Sequence, residues 1–107
     1  PYCTSKTAFD RLTKGLALEL AEFGIRVNAL EPGFASGSTV SLLADEHVSR
    51  ATASVPLGRE STEADLRPAV LYLSSAAAEY VTGATLTVDG GNSIGSLDVY
   101  QDKKHPL

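Results

Sequence analysis

The sequence predicts an α/β protein with parallel strands, on three observations. Two short runs of strand-type residues, 25–30 and 84–88, alternate with two segments of helical periodicity. Each run stops at turn-forming residues, Glu31-Pro32-Gly33 after the first and Asp89-Gly90-Gly91 after the second. The chain between them is long enough for a crossover carrying a helix, which a parallel pair requires. Parallel strands are normally buried on both faces, so two of them alone do not make a stable sheet. The pattern therefore predicts further strands, whose place is upstream of Pro1.

Each element has its own local reason. From Ser5 to Phe23 the apolar residues Phe9, Leu12, Leu16, Leu20 and Phe23 recur at steps of three and four, one face of an amphipathic helix. Gly24 follows where a left-handed cap ends many helices. Leu18 falls on the polar side, as a tolerated surface residue or as a contact between subunits. Residues 25–30 read as a strand, stopped by Pro32, which cannot continue a central ladder, and by Gly33, which permits a sharp turn. From 34 to 56 the pattern weakens into small and polar residues, an insertion with a modest helix over about 40–53, capped by Ser38 or Thr39. Thr62-Glu63-Ala64-Asp65 resembles a capping box and opens a helix through Leu66, Ala69, Val70 and Leu73. Pro68 should kink that helix or delay its first turn. The second strand, 84–88, lies between Gly83 and Asp89-Gly90-Gly91, and the tail from Asn92 to Leu107 is polar and without repeats.

Composition narrows the class. A chain of 107 residues, 43% hydrophobic and 21% charged, is one globular domain at most. Its net charge of −4 offers no basic footprint for nucleic acid or an acidic membrane. No stretch approaches the roughly 20 apolar residues that span a bilayer. The single cysteine, Cys3, excludes an internal disulfide and fits a reducing, cytoplasmic compartment. The chain has no methionine and opens directly into helical sequence, so it is expected to be the later part of a longer protein.

Chemistry centres on the first turn of the first helix. Tyr2 and Lys6 are four apart, so their side chains share a face one turn apart. A free phenol has a pKa near 10, too high for ready proton exchange at neutral pH. An ammonium within ~4–6 Å favours phenolate and lowers that pKa by about 1–3 units, which makes Tyr2 a general acid/base candidate. As a bare spacing, Tyr-x-x-x-Lys also fits an ordinary pair on a helix surface. His47 and His105 lie far apart with no ligand cluster about them, so no metal site is expected. Cys3, between Tyr2 and Lys6, turns away from their face. Asp89 reads as a turn former, and the run Asp102-Lys103-Lys104-His105 as a solvated tail or a subunit contact. Gly90-Gly91 is no phosphate loop, because no helix follows to offer its N-terminus.

The order of motifs is more specific than any one of them. Tyr2-Cys3-Thr4-Ser5-Lys6 is followed by Leu18-Glu19-Leu20-Ala21, by Gly24-Ile25-Arg26-Val27-Asn28-Ala29-Leu30 and by Pro32-Gly33. Pro56-Leu57-Gly58-Arg59, Tyr72-Leu73-Ser74-Ser75, Val81-Thr82-Gly83 and Val88-Asp89-Gly90-Gly91 complete the series. Over residues 1 to about 93 it resembles the C-terminal half of the short-chain dehydrogenase/reductase family, of the Tyr-x-x-x-Lys type. The resemblance implies that 1–107 is the C-terminal segment of a single, doubly wound, Rossmann-like domain binding NAD or NADP, with the N-terminal strands missing. It implies Tyr2 as acid/base at the oxygen of a small alcohol or carbonyl substrate, and Lys6 as the group that lowers the phenol pKa and holds the nicotinamide ribose. Pro32 and Gly33 would lie at the cofactor, with the backbone near Ala35 meeting the carboxamide. Residues 34–56 correspond to the substrate lid and 92–107 to the tail. A homo-oligomer is implied as well.

Two departures from the family pattern stand out. The threonine that often follows the proline by five residues is replaced by Gly37, flanked by Ser36 and Ser38, which substitute for it or merely cap the lid helix. The glycine-rich loop, the catalytic serine and the helix asparagine fall outside these residues. A non-catalytic fragment, working only with a partner chain, is the alternative reading.

Overall fold

The computed structural model describes residues 1–33 and 52–94, the side chain of Tyr2 excepted. Helix α1 (Tyr2–Leu20) begins on Pro1, whose carbonyl accepts from the Ser5 amide at 2.9 Å. Its last turn tightens into a 3-10 turn, Ala21–Phe23. Gly24 then stops it at φ 71°, its amide bonded to the Ala21 carbonyl, the left-handed cap the sequence predicts. Strand β1 (Ala29–Pro32) follows, then helix α2 (Glu63–Ser74), a 3-10 turn Ala76–Ala78, strand β2 (Thr85–Val88) and a 3-10 turn Asn92–Ile94.

The two strands form one sheet. The Ala29 amide donates to the Ala84 carbonyl at 2.9 Å, and four residues on, the Gly33 amide donates to the Val88 carbonyl at 3.2 Å. Both strands advance in the same sense between these bonds, so the pair is parallel, as expected. The first strand starts later than its composition predicts. Before Ala29 the ladder is replaced by side chains: Thr82 Oγ1 accepts from the Val27 amide at 3.1 Å, and the Asn28 amide group bridges the Val81 carbonyl and the Ala84 N–H. At the other end β1 takes in Glu31 and Pro32, because the missing N–H of Pro32 falls on the last residue of the strand.

The chain divides into two units, Pro1–Glu31 with Pro68–Leu86, and Pro32–Arg67 with Thr87–Leu107. In the first, α1 meets the start of β2 through a face other than the apolar stripe. Thr13 and Ala17 are buried, whereas Phe9, Leu12, Leu16 and Phe23 stay exposed among the described residues. Small side chains let the helix approach closely: a Cβ on Gly83 would sit 3.6 Å from that of Ala17. Thr85 Oγ1 donates to Asp10 Oδ1 at 2.8 Å and fixes the rotation of the helix. Arg26 closes this unit by donating to the carbonyls of Leu73 and Ser75, at the end of α2, and of Val81, beyond the following 3-10 turn.

In the second unit the chain around Val55 packs beneath the turn after β2. Val55 is 2% exposed, and the Leu57 amide donates to the Gly90 carbonyl at 3.0 Å. Helix α2 opens as the capping pattern predicts, with Asp65 reaching back to the Thr62 amide at 2.8 Å. It continues through Pro68 instead of starting after it, and the absent N–H leaves the Ala64 carbonyl without its helical bond. Most of the expected lid falls on residues 34–51, outside the described residues, as do His47, Ala35, Ser36, Gly37, Ser38 and the tail from 95 onward. Within the rest of that stretch, Thr52 and Ala53 are helical.

Candidate active site

The first turn of α1 places Tyr2 and Lys6 one turn apart along the same side of the helix, since both positions are helical and 3.6 residues make a turn. Lys6 is exposed, and so is Cys3, which a step of one residue turns away from that side. The side chain of Tyr2 is not among those described, nor is Ala35.

Pro32 and Gly33 sit at the carboxyl end of β1, the end where parallel α/β sheets place ligands. Pro32 is exposed and Gly33 half-buried. Gly33 is not in the left-handed region, so it is not glycine for conformational freedom. A Cβ there would lie 2.6 Å from Asp89 Cβ and 2.9 Å from Asp89 Cα, well inside the roughly 3.5 Å at which carbon atoms touch. The sequence reading of Gly33 as a turn residue is thus joined by a packing reason that no local pattern carries. Tyr2 and Lys6 belong to one unit and Pro32 and Gly33 to the other. Along the backbone of α1 the Tyr2 and Lys6 positions are one turn apart, and Pro32 and Gly33 are adjacent in the chain.

Asp89 acts as the turn former expected of it. Its Oδ1 accepts from the Gly91 amide and its Oδ2 from the Ser93 amide, both at 2.9 Å. Bonding from Ser93, ahead of the Gly91 contact, holds its carboxyl below the ordinary carboxylate value. Sequence reasoning placed Asp65 in the capping pattern of α2 but missed its partner. Asp65 takes a two-pronged contact from Arg59, at 2.7 and 2.8 Å, besides the Thr62 bonds. The Arg59 guanidinium first, and Thr62 after it, hold that carboxyl far below its usual range. The spacing from 59 to 65 matches no helical rule, so only the fold reveals the pair, whereas the Asp10–Lys14 pair follows the i, i+4 spacing of a helix surface. Among the described residues no group of three or more His, Cys, Asp or Glu is placed to hold a metal. No helix there is long and apolar enough to cross a membrane.

A helix, a parallel strand ending in Pro-Gly, a second helix and a second parallel strand ending in Asp-Gly-Gly define part of a Rossmann-like α/β sheet. Comparison with known proteins agrees. Residues 1–93 match the family model described as enoyl-(acyl carrier protein) reductase. The chain is similar to the 3-oxoacyl-(acyl-carrier-protein) reductase FabG of Rickettsia bellii, 41% identical over 90 residues, covering 84% of this chain and 37% of that protein. It is 44% identical over 89 residues to a 3alpha-hydroxysteroid dehydrogenase of Mediterraneibacter gnavus, covering 83% of this chain and 36% of that one. A solved structure from Beutenbergia cavernae, described as an NAD(P)-dependent gluconate 5-dehydrogenase with NADP bound at low occupancy, superposes with a TM-score of 0.79 at 43% identity. That match covers 88% of this chain and 39% of the other. The chain belongs to the short-chain dehydrogenase/reductase family, and it spans little more than a third of the length of these relatives.

Proposed function

We propose that the protein carrying these residues is an NAD- or NADP-dependent oxidoreductase that interconverts a secondary alcohol and a carbonyl, with Tyr2 as acid/base and Lys6 as its partner. The observation that carries the reading is the placement of Tyr2 and Lys6 one turn apart at the start of α1, inside the stretch that matches the family. Two of the relatives are named as a reductase and a dehydrogenase, names that correspond to the two directions of the proposed interconversion.

The residues suit a nicotinamide nucleotide. Lys6 is an exposed donor for ribose hydroxyls, and Pro32 is an exposed position at the carboxyl end of a parallel strand. When bound, the nucleotide supplies or accepts the hydride. In carbonyl reduction the Tyr2 hydroxyl gives its proton to the oxygen of the carbonyl as the carbon is reduced. In alcohol oxidation the phenolate takes that proton back. The positive charge of Lys6 favours phenolate and brings Tyr2 nearer the range where proton transfer in both directions is fast. Pro32, Gly33 and Ala35 hold the nicotinamide end, the segment 34–56 encloses the substrate, and the protein works as a homo-oligomer in the cytoplasm.

The test is Tyr2→Phe in the whole gene product, assayed by NADH and NADPH oxidation against a panel of simple ketones. Loss of the proton donor should lower kcat by at least about a hundredfold, the scale of general acid catalysis, while nucleotide binding holds. Turnover near that of the unaltered protein would remove Tyr2 from this role.

A further inference from the structure

The end of β1 and the turn after β2 touch inside one unit. Gly33 is pressed against atoms of Asp89 that cannot swing away: a Cβ on Gly33 would meet Asp89 Cβ at 2.6 Å, Cα at 2.9 Å and the carbonyl oxygen at 3.3 Å. The Gly33 amide is tied to the residue just before, donating to the Val88 carbonyl at 3.2 Å. The place of Gly33 is therefore set by the main chain at Val88 and Asp89.

Asp89 is in turn held from three sides. Its carboxylate closes the turn on itself through the Gly91 and Ser93 amides, both at 2.9 Å. The Leu57 amide donates to the Gly90 carbonyl at 3.0 Å. Below it there is no slack, since a Cβ on Gly90 would lie 2.7 Å from Val55 Cγ1 and one on Gly91 3.0 Å from Pro56 Cγ. Gly90 and Gly91 take φ of 63° and 91°, which leaves the Asp89 carboxylate as the side chain that fixes this left-handed stretch.

We propose that Asp89 is a positioning residue for the nucleotide: its carboxylate fixes the Asp89–Gly91 turn, and the main chain of that turn sets where Pro32 and Gly33 stand. The inference rests on the reading of Pro32 and Gly33 as nucleotide contacts. Asp89 itself touches neither substrate nor the reacting atoms. Its removal should loosen nucleotide binding and spare the proton transfer at Tyr2.

The experiment compares Asp89→Ala and Asp89→Asn with the unaltered whole gene product. It reads the Kd for NADH and NADPH by fluorescence titration, kcat at saturating nucleotide, and Tm without nucleotide. Asp89→Ala loses two charge-assisted bonds, so Kd for the preferred nucleotide should rise on the order of tenfold. Meanwhile kcat at saturation should stay within about twofold. Asp89→Asn keeps an acceptor for one of the two amides and should fall between, and it carries the comparison alone if Asp89→Ala does not fold. A lowered Tm with Kd unchanged would assign Asp89 to the fold only and overturn the proposal. An unaltered protein that binds neither nucleotide would overturn it together with the oxidoreductase reading, a result recognisable because it needs no variant.

Discussion

Asp65 accepts from both terminal nitrogens of Arg59 and from the amide and hydroxyl of Thr62, four contacts on one carboxylate at the opening of α2. Arg59 is the main reason its pKa lies well under the ordinary 3.8. A depressed folded-state pKa contributes stability above the unfolded value and loses it as pH falls toward the folded one. Between roughly pH 4 and pH 2 the unfolded chain binds the proton first, so Tm of the unaltered protein should drop across that window. Asp65→Asn should start lower at neutral pH and fall less steeply in acid. Parallel Tm curves for the two proteins would deny the pair that role. Gly33 gives a second test at this scale. Gly33→Ala has no left-handed backbone to strain, yet it drives a methyl into Asp89, so it should cost about 1–3 kcal/mol by urea denaturation at unchanged m-value. The need for glycine there was legible in the sequence as part of Pro32-Gly33, but its cause was not, because Asp89 is remote in the chain.

Among the elements, α1 shows most clearly what periodicity tells and what it leaves out. The steps of three and four among Phe9, Leu12, Leu16, Leu20 and Phe23 identify a helix and its stop at Gly24, and both are present. They do not say which side the next strand approaches. Within its unit the helix meets β2 through Asp10, which accepts from Thr85, while the small buried Ala17 faces Gly83 just before the strand. Hydrophobicity ranks residues by transfer energy, whereas close packing selects them by volume. Ala17→Leu should therefore destabilise the whole gene product by about 1–3 kcal/mol through overpacking. Leu18→Ala, at a position 81% exposed, should change its chemical denaturation midpoint little, unless subunits meet there. The late start of β1 has a similar origin. Strand propensity over 25–30 is real, but Thr82 and Asn28 take up backbone groups that a ladder would otherwise use.

Across the whole molecule, what the sequence made legible was order: helix, strand, helix, strand, with both strands parallel and each ending in glycine-rich turns. Tyr2-Cys3-Thr4-Ser5-Lys6 and Pro32-Gly33 were legible as motifs for the same reason, since each depends on residues adjacent in the chain. The Arg59–Asp65 and Gly33–Asp89 contacts were not, since each depends on where separate segments fold. The same distinction governs what these 107 residues do in isolation. Among the described residues the buried hydrophobic side chains are Ala17, Ala29, Val55 and Ala78, three of which carry only a methyl group. At about 0.8 kcal/mol per buried CH₂, such side chains contribute little against about 1–2 kcal/mol of backbone entropy for each ordered residue. A parallel pair also needs cover on both faces and further strands beside it. The isolated polypeptide is therefore expected to melt without a cooperative transition by calorimetry. It should bind neither NADH nor NADPH in fluorescence titration, since among the described residues no glycine-rich loop followed by a helix is present to take the pyrophosphate. A sharp calorimetric peak would mean that this small set of buried side chains suffices to hold the parallel pair. Nucleotide binding would mean that these residues capture it without help from a phosphate loop.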